Sequence, residues 1–455
     1  MSEASPIEDV DVHQGGELER TLGLTQALAI GTGTMVGAGI FVFPGLAAGE
    51  AGPAAMLSFA IGAVIALLVA LPTSELATAM PESGGGYYFV SRSLGTLFGC
   101  MVGLGQWLGL VFASAFYLMG FGHYLSDLLR ETGVDISMPV AGIALGTAVL
   151  LTGISITGTE NTGDLQNWIV GTLLVILAGF LGHGGLDVIG VFGRERVPET
   201  FFPYGTMSVF TTAALVFTSY LGFVQIATVA GEIKNPSRNL PRSMIGSVLL
   251  VGALYVFTIF VGTSVLGSEQ LSTLGETAVV SVGRALFGTF GAAAILGGGL
   301  LATLSSANAS ILSASRSIYA LSRDNLVPKA AQRLNERYRT PHVALLLAGG
   351  PIMGLILYGR VEVLAEVASL LHLVMYGLIC VALLVLRHYD PAGYEPSFRC
   401  PGTPIVPGLG AVASFGLIGF MNPLSIGLGF GVLGGAVGWY FYYARSVTLS
   451  EITEA

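Results

Sequence analysis

Gly31, Gly33, Gly37 and Gly39 fall within nine residues of one apolar stretch, Ala29-Ile-Gly-Thr-Gly-Thr-Met-Val-Gly-Ala-Gly-Ile-Phe41. Each interior glycine costs a helix about 1 kcal/mol relative to alanine. Two readings follow. The glycines let neighbouring helices approach closely, or they break the helix and leave polar backbone at membrane depth, which is tolerated only where it is buried in protein or lines a cavity. A broken helix offers the N–H groups of its second half to an anion such as a carboxylate, and the carbonyls of its first half to an ammonium or other cation. The spacing of Gly31, Gly33 and Gly37 with Glu50 also imitates a dinucleotide-binding turn, but that turn needs a preceding strand and a soluble α/β unit.

The other reactive residue types are scattered. His123, His183 and His372 share no ligand spacing, no His-Glu-x-x-His run occurs, and Cys100, Cys380 and Cys400 form neither a disulfide framework nor a paired-thiol metal site. We therefore expect no metal, cofactor or enzymatic activity. His372 is the only histidine deep inside an apolar segment, which makes it a candidate for ion coupling although that segment is expected to lie peripheral to the substrate. Ser306, Ser310, Ser313 and Ser317 are spaced 4, 3 and 4 residues apart and share one helix face, either packing against a neighbour or lining a pathway. Ser306 and Ser310 are the better cation candidates if His372 is structural.

Helices across a bilayer must position these groups. Of 455 residues, 53% are hydrophobic and only 10% charged, where a soluble domain carries about 25% charged residues. Glycine, at 65 residues, is used at about twice its ordinary share. Apolar segments lie near 23–48, 54–80, 96–125, 138–157, 164–184, 206–231, 243–267, 285–320, 342–359, 361–387, 404–421 and 424–443. Residues 1–20 read as an acidic tail and 444–455 as a second tail, both cytoplasmic: with twelve spans, 14 of the 19 Lys and Arg residues fall on the cytoplasmic side. The net charge of −9 leaves no nucleic-acid footprint. The partners expected are the lipid bilayer, a substrate and a coupling proton or sodium ion; the oligomeric state is not readable.

Ile30-Gly-Thr-Gly-Thr-Met-Val-Gly-Ala-Gly-Ile-Phe41 with Pro44-Gly45 resembles the first helix of the amino acid-polyamine-organocation (APC) superfamily. Four more stretches match in that family's order. They are Glu75-Leu-Ala-Thr-Ala-Met-Pro81 with Ser83-Gly-Gly-Gly-Tyr87; Phe217-Thr-Ser-Tyr-Leu-Gly-Phe223 with Glu232-Ile-Lys-Asn-Pro236 and Arg238-Asn-Leu-Pro241; Ser315-Arg316 through Thr340-Pro341; and Phe398-Arg-Cys-Pro-Gly-Thr-Pro404.

The resemblance implies an all-α membrane fold of twelve spans: two inverted five-helix repeats, about 21–184 and 206–387, plus two helices over about 404–443, within a transporter domain spanning 21–443. Carried over by position, the carboxylate-binding amides fall on Gly37, Ala38 and Gly39. The carbonyls that would meet the amino group fall on Met35 in the first helix and on Thr218, Ser219 or Leu221 in the sixth. Tyr220 would be an aromatic gate. Trp107, Phe112, Phe116 and Tyr117 in the third segment could wall the substrate side chain. Two residues depart from the family's pattern: Val224 stands where many relatives carry an acid, and Leu173, six residues after Asn167, stands where proton-coupled relatives carry a lysine.

The expected function is secondary active transport of a neutral amino acid by alternating access, coupled to protons, in the cell membrane. Segments one, three and six hold no Asp or Glu between residues 23–49, 96–125 and 206–231 to partner a cationic side chain. Cationic amino acid transport and amino acid exchange are the alternatives. A channel would want charge rings or a carbonyl filter, and a membrane-embedded enzyme would want ligand or catalytic spacing that is missing.

Overall fold

The computed structural model describes residues 20, 22–81, 84–133, 138–157, 162–191, 200–335, 337–338, 340–391 and 393–449. Apart from Arg20, the acidic tail over 1–20 lies outside the described residues, as do Ser83, Arg194, Arg196, Arg339, the side chain of Asn167 and residues 450–455.

The described residues are helical, without strands. Nine helical stretches among them are long and apolar enough to cross a membrane, and two further apolar helices are shorter. Two of the nine, Leu24–Ala79 and Ser268–Arg323, each run 56 residues, more than twice the roughly 20 that one crossing needs.

The first apolar segment forms α1 (Leu24–Met35) and α2 (Ala38–Ala51), parted at Val36 (φ −75°, ψ 58°) and Gly37 (φ −107°, ψ −135°). The glycine-rich stretch therefore interrupts the helix. α3 (Ala55–Ala79) leads to a short α4 (Gly85–Leu94), then to the long α5 (Thr96–Glu131), α6 (Val140–Thr157) and α7 (Thr162–Val188). The sixth segment starts as α8 (Met207–Val216), tightens into a 3₁₀ stretch over Phe217–Val224, and ends as α9 (Gln225–Thr228). α10 (Pro236–Leu266), α11 (Ser268–Leu274) and α12 (Ala278–Arg323) follow. Within α12, Gly288 takes φ 63° and ψ −147° and turns the chain, so the eighth apolar segment proper begins beyond this kink. α13 (His342–Tyr358), α14 (Val361–Tyr389), α15 (Ile405–Ile418) and α16 (Pro423–Trp439) complete the chain.

α5 packs on both α12 and α14, while α10 packs on α3 and α1. Two backbone bonds tie the start of α1 to the exit of the sixth segment: Leu22 N–H donates to Glu232 O at 2.9 Å and Lys234 N–H to Leu22 O at 2.8 Å. The two irregular segments are thereby joined at one end. Nearby, the fully buried Glu75 of α3 accepts from Arg387 Nε (2.7 Å) and Nη2 (2.9 Å), Tyr394 Oη (2.9 Å) and the Cys400 amide (2.6 Å). This carboxylate, placed near a helix end by its sequence position, fastens α3, α14 and the loop before α15 together.

Candidate functional site

The site begins at the break between α1 and α2. Val36 N–H still reaches back to Thr32 O at 2.7 Å, but Gly37 N–H turns onto Met35 O at 2.8 Å. Met35 O also accepts the hydroxyl of Tyr255 in α10 at 2.6 Å, and the same hydroxyl lies 3.5 Å from Ser219 O. Ala38 and Gly39 open α2, and helix geometry leaves the first N–H groups without an intrahelical acceptor, at the positive end of the helix dipole.

Close approach explains why these positions are glycine. A Cβ on Gly37 would meet Ser306 Oγ and lie 2.8 Å from Ser306 Cβ; one on Gly39 would meet Tyr255 Oη and lie 2.6 Å from Ser219 Oγ. Both readings of the glycine run hold at once: the segment breaks, and its neighbours press onto the break.

The sixth segment supplies the facing wall. An eight-residue 3₁₀ stretch is longer than the three or four residues usual for that geometry, and α14 holds it. Thr218 Oγ1 donates to Ala365 O at 2.5 Å and shares a 2.6 Å hydrogen bond with Ser369 Oγ, while Tyr376 Oη donates to Leu221 O at 3.0 Å. Tyr220 points elsewhere: its hydroxyl donates to Phe59 O in α3 at 2.8 Å and its ring packs edge-on to Tyr255, with centroids 5.5 Å apart. It does not line the cavity described next.

A cavity of about 230 Å³ extends from Leu221 between α5, α12 and α14 towards the end of the molecule that bears Arg316 and Arg323. Val224, Gln225, Gln106, Leu110, Ser313, Ser317, His372 and Met375 also line it, and no Asp or Glu does. The serine stripe therefore runs from the break to the cavity: Ser306 sits on Gly37 with its hydroxyl buried and unpartnered, Ser310 is buried, and Ser313 and Ser317 face the open space.

Three sequence expectations need correction. The tenth segment is not peripheral, since α14 supports the 3₁₀ stretch and contributes His372 to the cavity wall. The His372 ring packs against Gly109, and its Nδ1 shares a 2.8 Å hydrogen bond with Ala368 O. Trp107 does not wall this cavity but faces an apolar groove with Trp439; its neighbour Gln106, about 100° round the helix, faces the cavity instead. Phe116 stacks on Phe43 of α2, with centroids 4.9 Å apart, and so packs against the second half of the broken helix, while Tyr117 is buried beside it. Phe112 is buried. Leu173 packs near Gly298 of α12, and Val224 reaches the cavity without charge.

Tyr255, Tyr376 and Gln106 escaped the sequence reading. Each shares its segment with other polar residues, so nothing local singles it out. Among the described residues no group of three or more His, Cys, Asp or Glu side chains could hold a metal.

The arrangement offers helix-terminal amides to an anion and, on the facing segment, carbonyls to a cation, and the cavity that opens at Leu221 has two arginines and no carboxylate in its lining. The branched-chain amino acid permease of Bacillus subtilis (strain 168) is 32% identical over 420 residues, covering 89% of each chain. The serine/threonine exchanger of the same organism is 27% identical over 442 residues, 94% of this chain and 97% of that one. Cationic amino acid transporter 3, mitochondrial, of Arabidopsis thaliana is 28% identical over 84% of this chain and 65% of its own. The sequence model described as Amino acid permease matches residues 22–448, and the chain belongs to that family, within the APC superfamily.

Proposed function

We propose that the protein is a secondary active transporter of a neutral amino acid, working by alternating access. The observation that carries this reading is the cavity that opens at Leu221 of the sixth segment: two arginines line it and no carboxylate does. A buried cationic side chain needs a partner acid, whereas a neutral side chain asks only for apolar and weakly polar wall such as Leu110, Leu221, Val224 and Met375. In this reading the Gly37 N–H leaves Met35 O and joins the amides of Ala38 and Gly39 in taking the α-carboxylate, while the carbonyls of Met35, Ser219 and Leu221 take the α-amine. Every amino acid shares those two groups, so selectivity falls to the cavity.

The chain crosses the cell membrane twelve times, as two inverted repeats plus two helices, with both ends in the cytoplasm. Leu24–Ala79, which holds two of the expected segments, supports that count together with the eight other long stretches and the two shorter apolar helices, and the basic residues support that orientation. The cavity then opens inward. Coupling is to protons, with His372 as the carrier, because the lysine and the acid that relatives use are Leu173 and Val224 here.

Counterflow in proteoliposomes tests the substrate. Preloaded leucine or serine should drive uptake of its labelled counterpart, with arginine and lysine failing to compete. Saturable arginine transport unaffected by leucine would overturn the neutral reading in favour of cationic transport.

A further inference from the structure

A second space, apolar and of about 610 Å³, opens between α5, α12, α13 and α16. Leu104, Trp107, Ile318, Leu347, Gly435 and Trp439 form its walls. Its volume falls within the roughly 300–1,000 Å³ of sites that hold a mostly apolar ligand. Three basic residues adjoin, in the chain, the residues that form one end. Lys329 sits within the lining run that Val327, Pro328, Ala330 and Ala331 provide, Arg333 follows two residues later, and Arg445 adjoins Ala444, which is buried with Val327 and Ala331. All three are exposed, and among the described residues none is in an ion pair. The only carboxylate between residues 316 and 335, Asp324, is occupied by Tyr87 at 2.6 Å and Arg92 at 3.9 Å. Trp439 closes the same end, donating from Nε1 to Leu326 O at 2.9 Å and stacking on Tyr443 at 5.2 Å, as interfacial aromatics do.

An apolar slot with a rim of cations complements an amphiphile that has an alkyl chain and an anionic head. We propose that the groove binds an anionic glycerophospholipid, its acyl chain between α5, α12 and α16 and its phosphate at Lys329, Arg333 and Arg445. The proposal rests on the reading that this end faces the cytoplasmic leaflet, where anionic lipids attract each nearby Lys or Arg by roughly fivefold in partitioning. α12 gives Ile318 to the groove and Ser317 and Tyr319 to the substrate cavity. A bound chain therefore steadies the helix that walls the substrate.

Native mass spectrometry of the detergent-purified protein, titrated with phosphatidylglycerol or phosphatidylcholine, tests the site. Phosphatidylglycerol adducts should persist at concentrations at least tenfold below those needed for phosphatidylcholine. A Cβ on Gly435 meets no atom within 4 Å, so Gly435→Leu fills the groove without a clash and should weaken the adduct tenfold or more. Gly438→Leu is equally unobstructed and lies outside the groove, so it should leave binding intact. The Lys329→Gln/Arg333→Gln/Arg445→Gln variant should abolish the preference between the two lipids while keeping weak binding of both. Equal retention of the two lipids by the unaltered protein, or an undiminished phosphatidylglycerol adduct in Gly435→Leu, would overturn the proposal. A substrate-induced thermal shift retained in Gly435→Leu separates failure here from failure of the transport reading.

Discussion

The hydroxyl of Tyr255 donates to the carbonyl of Met35 over 2.6 Å, joining α10 to the last residue before the break in the first helix. That carbonyl is one a substrate ammonium is expected to meet, and Gly37 N–H already shares it at 2.8 Å. Removing the Tyr255 hydroxyl should cost the empty protein about 1 kcal/mol, the net worth of one hydrogen bond. An ammonium would restore the missing donor. In Tyr255→Phe, substrate should therefore raise the melting temperature by more than it does in the unaltered protein. An equal or smaller shift, measured by thermal unfolding in detergent, would mean that amine and tyrosine do not share the carbonyl.

Gly37 and Ser306 make a second pair that can be dissected. Gly37→Ala places a methyl 2.8 Å from Ser306 Cβ, overpacking that typically costs about 1–3 kcal/mol, and uptake should fall tenfold or more. Adding Ser306→Gly removes the obstructing atoms and should recover most of the loss. At Gly39, where the space is filled by Ser219 and Tyr255, Gly39→Val should abolish uptake with expression nearly intact. Normal uptake by either single variant contradicts the close approach described.

His372 is placed to sense protons from the cavity wall. The titratable and charged groups lining the same cavity are Tyr87, Tyr319, Arg316 and Arg323, with the Tyr376 ring 6.2 Å away. No carboxylate is among them. If His372 carries the coupled proton, His372→Gln should flatten the pH dependence of uptake while equilibrium binding of substrate is preserved. A variant that keeps the full pH profile makes the histidine structural, and sodium-dependent uptake would turn attention to Ser306 and Ser310.

The carboxylate of Glu75, buried beneath Arg387, Tyr394 and Cys400, should be costly to orphan. Arg387→Met leaves that charge without its cation and should destabilise the protein by about 3–5 kcal/mol, the usual effect of breaking a buried pair from one side. Burial also pushes the Cys400 thiol up to about 11, opposed by its hydrogen bond with Thr403. At pH 7 it is then almost wholly protonated, and iodoacetamide labelling should be slow and should rise as the pH is raised towards 9. Fast labelling of the unaltered protein at pH 7 would contradict the buried position.

The break in the first helix was legible because its cause is local: glycines at 31, 33, 37 and 39 weaken the helix wherever it sits. The 3₁₀ stretch of the sixth segment was not. Phe217-Thr-Ser-Tyr-Leu-Gly-Phe-Val224 has one glycine and no proline. What holds it lies about 150 residues away, in Ala365, Ser369 and Tyr376, so no window of sequence contains the reason. The same distance hid the role of α14 and hence the placement of His372. The third segment shows the limit of periodicity: it marked a helix, but only packing decides that Gln106 faces the cavity and Trp107 the groove. The serines spaced 4, 3 and 4 residues apart lie along one side of α12, where Ser306 meets Gly37 and Ser313 and Ser317 line the cavity.

The central claim is that backbone at the helix break reads the two groups common to all amino acids. Competition for leucine counterflow by leucine analogues tests it most directly: 3-methylbutylamine lacks the carboxylate, and N-acetylleucine lacks a charged amine. Leucine itself should compete fully and neither analogue should compete measurably, since each leaves one half of the site unanswered. Competition by either analogue as effective as that of leucine would contradict the claim.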